Sequence, residues 1–307
     1  FERLGRLRED WEERPGQLLL IASDEDRAEK LRDDCALLLG ESSVKFFGAR
    51  PTHRAQTLDM SSSIAQIETL KALSGGSKML VLASPQSIAE KVPPPEEFRN
   101  TVIEIRAHEA YPFQKVIDRL SELGFERKSF VESYGDFAVR GGILDIFPYV
   151  GEHPVRVEFW GDTVESIREF DVLSQRSIRD LELASIVPSI TPPSLSEADD
   201  EVRSETHLSS SLFDYLDPAA LILLDEPEQI ERAIGELTAD GAADLFSFAD
   251  IRRASERFPR VEHTSAKTAG AVDLGAKPQP AYNGSINTLV TQLRRLAIKK
   301  NQRAVGF

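Results

Sequence analysis

Residues 134–148 read YGDFAVRGGILDIFP, and residues 154–162 read PVRVEFWGD. In the first stretch paired glycines interrupt an apolar strand, which indicates a bulge or a close approach of another backbone. In the second, apolar and charged residues alternate with the period of a strand that has one buried face. The β pattern extends from Phe125 to about Pro188 and follows a predicted helix over residues 113–123. This part of the chain is therefore predicted to be a compact α+β domain with a meander.

The sequence on either side of this domain alternates strands with helices. Residues 17–22 and 78–83 are apolar runs typical of buried strands, and Ser23 and Ser84 follow them as expected helix caps. Residues 221–237 repeat the pattern with an apolar strand and a helix. This alternation predicts an α/β fold with a largely parallel sheet covered on both faces, into which the β-rich domain is inserted.

The net charge of −14 is concentrated in one stretch of the chain. Residues 191–250 contain 15 Asp or Glu but only two basic residues, Arg203 and Arg232. Because a phosphate backbone is bound by clustered Lys and Arg, this stretch is expected to repel DNA. No apolar run approaches the roughly 20 residues that cross a bilayer. The lone Cys35 fits a reducing compartment, so we expect a cytoplasmic protein without membrane contact.

One acidic pair is typical of ATPases. Asp225 and Glu226 follow an apolar strand, as a magnesium-binding Asp and a water-orienting Glu do in many of them. That chemistry also needs the phosphate-binding loop GxxxxGK[ST], which does not occur in these 307 residues. We interpret the pair as structural or vestigial, unless such a loop precedes Phe1. The five histidines are scattered and there is one cysteine, so no metal site and no catalytic residue are predicted.

Three stretches carry a resemblance to known proteins. Residues 137–148, 154–162 and 165–171 closely resemble the region shared by UvrB and the transcription-repair coupling factors. The segment Ser174-Gln175-Arg176-Ser177 resembles the corresponding segment of coupling factors, whereas UvrB proteins have a Thr-Gly pair at this position. UvrB also inserts a tyrosine-rich hairpin into damaged DNA, whereas residues 48–63 of this chain contain no aromatic residue.

The resemblance implies a helicase-like parallel-sheet domain with a degenerate nucleotide site and an inserted α+β domain that binds UvrA. The implied segments are residues 1–106 and 190–285 for the helicase-like domain, 107–189 for the UvrA-binding domain, and 286–307 for a linker or following domain. In such proteins this region recruits UvrA to RNA polymerase stalled at DNA damage, for nucleotide excision repair. A C-terminal domain covers the same face in an autoinhibited state. ATP, magnesium, polymerase and DNA are bound by other domains, so no cofactor is expected here.

Five residues match the docking surface of the family. They are Arg140 before the glycine pair, Arg156 and Glu158 on the next strand, Arg127 thirteen residues before Arg140, and Phe147, which is either core or an exposed anchor. UvrB often has a further Arg at the position of Ala138. The alternatives are a UvrB-like ATP-dependent helicase or damage-verification enzyme with its phosphate-binding loop cut off, and an oligomerisation scaffold without a role in UvrA binding.

Overall fold

The computed structural model describes residues 16–50, 61–190, 208–239, 245–266 and 270–272. The chain forms two compact units, Phe1–Ser265 and Ala266–Phe307, and every helix and strand given below belongs to the first. The sequence of Ser189–Ser211 is typical of a linker or long surface loop, and its residues 191–207 lie outside the described residues, as do residues 286–307, the predicted linker or following domain. The predicted segment boundaries stay predictions.

The described strands belong to three sheets. In chain order they are β1 (Leu18–Ile21), β2 (Val44–Phe47), β3 (Leu80–Ala83), β4 (Ile103–Arg106), β5 (Glu126–Arg127), β6 (Asp136–Arg140), β7 (Ile143–Ile146), β8 (Val155–Trp160), β9 (Thr163–Phe170), β10 (Ser177–Asp180), β11 (Leu183–Ile186), β12 (Leu221–Asp225) and β13 (Arg260–His263).

The described helices flank these sheets. They are α1 (Glu25–Leu39), α2 (Ser61–Ser74), α3 (Pro85–Ala89), α4 (Pro95–Thr101), α5 (Phe113–Glu122), α6 (Pro227–Ala239) and α7 (Phe248–Ser255), with single 3-10 turns at Glu41–Ser43 and Leu212–Tyr215. None of the helices in the described residues is long and apolar enough to cross a membrane.

The first sheet is parallel throughout, which confirms the α/β prediction. Its order is β13-β12-β1-β3-β2, so strands from before and after the β-rich domain meet at its centre. Ser84 caps α3 in a capping box with Ser87, as predicted. The predicted cap Ser23 is wrong by one residue. The side chain of Asp24 accepts the hydrogen bond from the Arg27 amide at the start of α1.

The second sheet, which we call the meander sheet, has the order β10-β9-β8-β7-β6-β5. Its pairings from β6 to β10 are antiparallel, and the short β5 joins parallel to β6. Along β8 the buried and less buried residues alternate, as the sequence pattern predicted. One face packs against α5 and against the antiparallel pair β4–β11, and we call it the inner face. The outer face is the opposite one.

The paired glycines form a hairpin turn, so the predicted bulge inside a strand is wrong. Arg140 pairs with Ile143, which leaves Gly141 and Gly142 as the two-residue turn between β6 and β7. Gly141 has a φ of 60°, a conformation that glycine adopts without steric cost. The predicted close approach of backbone is present, because a Cβ at Gly142 would lie 2.5 Å from the carbonyl oxygen of Phe159.

We predict that Gly142→Ala lowers the free energy of unfolding by about 1–3 kcal/mol, because the new methyl group would push β8 away from the turn. Gly235 lies within α6, where an added Cβ has no neighbour within 4 Å. Gly235→Ala is therefore the control and should raise stability by about 0.5–1 kcal/mol. Urea unfolding measures both. A Gly142→Ala midpoint equal to that of the wild type would contradict the close contact.

Candidate functional site

The outer face of the meander sheet carries two rows of side chains that cross neighbouring strands. The strand register aligns the first row as Ala138, Asp145, Arg156 and Arg168, and the second as Arg140, Ile143, Glu158 and Ser166. The rows bring Arg140, Arg156 and Glu158 together on adjacent strands, as the resemblance implied for a shared surface.

Asp145 is the centre of this face. Its side chain is 2% exposed, and it accepts hydrogen bonds from two arginines. Arg156 binds it with both Nε and Nη2, at 2.6 and 2.9 Å, and Nη2 of Arg140 binds Oδ2. A buried carboxylate is costly unless it is paired and hydrogen-bonded, and a bidentate guanidinium supplies both. The two arginines are therefore held by an internal charge.

Arg156 is the more deeply buried of the two arginines, with a side chain that is 16% exposed. Its guanidinium carbon lies 4.4 Å from the ring centroid of Phe170, and its Nη2 also donates to the side-chain oxygen of Gln175 at 3.1 Å. The hydrogen bond with Asp145 raises the pKa of Arg156. Because its donors are largely used within the domain, Arg156 supports the surface more than it reaches out from it.

Arg140 is better placed to meet a partner. Its side chain is 40% exposed, and its guanidinium carbon lies 5.4 Å from the ring centroid of the exposed Phe130. One Nη2 contact with Asp145 holds it, although a guanidinium has five N–H donors. Arg140 is thus oriented by the protein while donors remain for another molecule.

Glu158 belongs to a second charge pair on the same face. Its carboxylate accepts hydrogen bonds from Nη2 of Arg168 and from Oγ of Ser166, the latter at 2.9 Å. Both members of the Glu158–Arg168 pair are partly exposed. This pair and the Arg140–Asp145–Arg156 group give the outer face both signs of charge.

Two residues assigned to the surface lie elsewhere. Phe147 is buried and packs 4.1 Å, ring centroid to centroid, from Tyr134, in a small cluster with Val131 and Ala138. Of the two readings left open for Phe147, core is right, and an exposed anchor is wrong. Arg127 is exposed but pairs in register with Phe137. Paired residues project from the same face of a sheet, and Phe137 belongs to the inner face. Arg127 therefore projects from the inner face, whereas Arg140 projects from the outer face.

The sequence reasoning missed Asp145, Arg168 and Phe130 as parts of this face. A usable signal existed for Asp145, which is the one acidic residue inside the otherwise apolar run of residues 143–147. A charge within a buried strand indicates an internal partner. Phe130 had no such signal, since its contact with Arg140 depends on the path of the loop before β6.

The acidic pair at the end of β12 is already occupied. Asp225 is buried, and its two carboxylate oxygens bind Nε of Arg27 at 2.7 Å and Nδ1 of His263 at 2.6 Å. The hydrogen bond with Asp225 raises the pKa of Arg27, and hydrogen bonding from Ser265 lowers the pKa of Glu226. Both carboxylate oxygens of Asp225 are therefore paired with basic side chains of the protein itself, an environment that does not fit a magnesium ion.

The neighbouring end of the parallel sheet does not fit a phosphate either. The turn from β1 to α1 is short and ends at Asp24, whose carboxylate caps the helix start where a phosphate-binding loop would present its amides. A shallow cavity of about 310 Å³ beside it has three acidic residues and no basic one among its lining residues, the acidic ones being Asp24, Glu25 and Glu236. No group of three or more His, Cys, Asp or Glu that could hold a metal occurs among the described residues.

We predict that Arg156→Ala lowers the free energy of unfolding by about 3 kcal/mol, because Asp145 would lose its bidentate partner in a buried setting. Arg140→Ala should cost about 1 kcal/mol or less, since that contact is single and more exposed. Arg99→Ala, which removes an exposed pair with Glu96 on α4, is the control and should have little effect. Chemical denaturation compares the three, and equal losses for Arg156 and Arg140 would contradict this ranking.

Comparison with known proteins identifies the domain that carries this face. Residues 103–191 match the family of the UvrB interaction domain. A "Transcription-repair-coupling factor" of Bacillus subtilis (strain 168) is 26% identical over 374 aligned positions, which cover 94% of this chain and 31% of that protein. One of Staphylococcus aureus (strain MRSA252) is 32% identical over 197 positions, covering 61% of this chain and 16% of that protein. The chain spans less than a third of these curated relatives. Residues 103–191 are therefore a UvrB interaction domain, and the chain as a whole is similar to the transcription-repair coupling factors.

Proposed function

We propose that this chain recruits UvrA, and that the outer face of the meander sheet is the docking surface. The observation that carries the proposal is the half-exposed guanidinium of Arg140, held against the buried Asp145 on a domain of the UvrB interaction family. A domain present both in UvrB and in coupling factors supports a partner common to the two. The resemblance to UvrB and the coupling factors implies that this common partner is UvrA.

The charges of this face suit a specific protein contact. Arg140 can form charge-assisted, bidentate hydrogen bonds with a carboxylate of the partner. Because Asp145 already orients the side chain, little conformational entropy would be lost on binding. Glu158 and Arg168 next to it add both signs of charge, which favours correct register and selection against other partners.

In the whole protein, the recruited UvrA would serve nucleotide excision repair at polymerase stalled on damaged DNA. We propose that polymerase and DNA are bound by other parts of that protein and that its motor consumes ATP there. The same outer face would be covered by a C-terminal domain in the autoinhibited state. The net negative charge of residues 191–250 supports the proposal that other parts of the whole protein bind DNA.

Arg140→Ala should weaken UvrA binding by about 30-fold or more, because truncating one member of an interfacial charge pair costs roughly 2–5 kcal/mol. Isothermal titration of UvrA into the 307-residue chain measures this. The matched control is Arg119→Ala. Arg119 lies on α5, the helix that packs against the inner face, and it forms an exposed ion pair with Glu122.

The control should bind UvrA like the wild type, and both variants should melt close to it. If Arg140→Ala binds UvrA with unchanged affinity, the docking surface lies elsewhere. If neither the variant nor the wild type binds, UvrA is not the partner.

We further propose that this 307-residue chain does not hydrolyse ATP. The alternative is a UvrB-like ATP-dependent enzyme. The support is the pairing of Asp225 with Arg27 and His263 and the acidic cap at Asp24. We expect no phosphate release from ATP and magnesium, with or without DNA, and no change on Asp225→Asn. Phosphate release that Asp225→Asn abolishes would establish the enzyme reading instead.

A further inference from the structure

A cleft lies between the parallel-sheet part of the chain and the meander sheet. Its volume is about 560 Å³, within the range of small-molecule sites. One wall is formed by β2, α2 and the turn after α2, and the other by β8 to β11 and the connection from β7 to β8. Val155 of the inner-face core lines the cleft, which therefore lies on the inner side of the meander sheet.

The two acidic side chains that line this cleft are paired with basic ones. Both oxygens of Glu68 are used, because Oε1 accepts a hydrogen bond from the amide of Gly151 at 3.2 Å and Oε2 pairs with Nζ of Lys45 at 3.4 Å. Glu169 accepts hydrogen bonds from Nε and Nη2 of Arg179, at 2.7 and 2.8 Å. Two carboxylates and two cations of the cleft therefore balance one another.

Lys71 is the basic residue of the cleft that has no such partner. Its half-buried side chain forms no hydrogen bond or ion pair within the described residues. Burial lowers the pKa of Lys71, although the charges of Glu104 and Glu68 act in the opposite direction. Glu104 itself pairs with Arg106 at 3.3 Å. A half-buried ammonium has lost part of its hydration, which is unfavourable unless an anion compensates for it.

Apolar side chains line the same cleft. Ala72 and Val150 pack against the larger core of the chain, and Leu181 packs against the core of the meander domain. All three remain partly exposed. The cleft therefore offers an uncompensated positive charge together with an apolar surface, which suits a ligand that has both an anionic group and an apolar part.

We propose that this cleft binds a small organic anion, whose phosphate or carboxylate group pairs with Lys71 and whose apolar part covers Ala72, Val150 and Leu181. A lysine ammonium is a compact point charge that can bind either anionic group. The ligand contacts α2 on one wall and the meander domain on the other, so it joins the two halves of the fold. The site does not involve UvrA, and its test is independent of the proposed function.

Acetylation of individual lysines by N-hydroxysuccinimide acetate, measured by peptide mass spectrometry, tests the site in the full chain. Phenyl phosphate and benzoate are the probes, because they share a ring and differ in the anionic group. Sodium chloride at equal ionic strength is the reference. Near saturation a bound probe should slow the acetylation of Lys71 by about 10-fold, since only about a tenth of the sites stays free. Lys115, which is exposed on α5 outside the cleft, should react at an unchanged rate.

Lys71→Met keeps the apolar stem of the side chain and removes its charge. The variant should bind the protecting probe about 10-fold or more weakly in isothermal titration, the effect of losing a charge-assisted hydrogen bond. Without the probe it should melt at or above the wild-type temperature, because an unpaired, half-buried charge is gone. Lys115→Met is the matched control and should bind the probe like the wild type.

The outcomes decide the proposal and the class of ligand. Protection of Lys71 by either probe supports the site, and the probe that protects more strongly identifies the anionic group. If neither probe slows the acetylation of Lys71, or if Lys71→Met binds the protecting probe as tightly as the wild type, the cleft is not an anion site. If Lys71→Met melts well below the wild type, the charge is compensated within the fold and the inference is overturned.

Discussion

The outer face depends on the burial of one carboxylate, that of Asp145, in the middle of an otherwise apolar strand. With its side chain 2% exposed, it needs compensating charge, and the nearest positions in the register supply it. Arg156 meets it from β8 with a bidentate contact and stacks on Phe170. Oδ2 of the same carboxylate also accepts a hydrogen bond from Nη2 of Arg140. The buried charge thus fixes two arginines that would otherwise sample many rotamers.

This arrangement also explains an unfavourable backbone conformation near the face. Gln175 has a φ of 58°, which a non-glycine residue adopts at a cost of roughly 1 kcal/mol. In that conformation its side-chain oxygen accepts from Arg156, and its side-chain amide donates to the carbonyl of Val172. Gln175 belongs to the segment that distinguishes the chain from UvrB in sequence. The distinguishing segment is therefore coupled physically to the charged rows.

The parallel sheet and the meander sheet each contain a buried aspartate that is paired with basic side chains, with different results. At the carboxyl end of the parallel sheet, Asp225 is neutralised from within by Arg27 and His263, and little of its charge is left for a ligand. On the meander sheet, Asp145 is neutralised as well, but Arg140 remains partly exposed. Whether an internal ion pair closes a site or presents one depends on which member reaches the solvent.

The sequence by itself determined the α/β class, the parallel sheet, the meander and the alternation along β8, because these follow from local periodicity and turn residues. It also carried the resemblance, which implied Arg140, Arg156 and Glu158 as parts of one surface, and the strand register places these three residues on adjacent strands. Tertiary structure alone decided that Phe147 is buried, that Arg127 lies on the other face, and that Asp225 pairs with residues far away in sequence. Those outcomes depend on register and on loop paths, which local pattern does not encode.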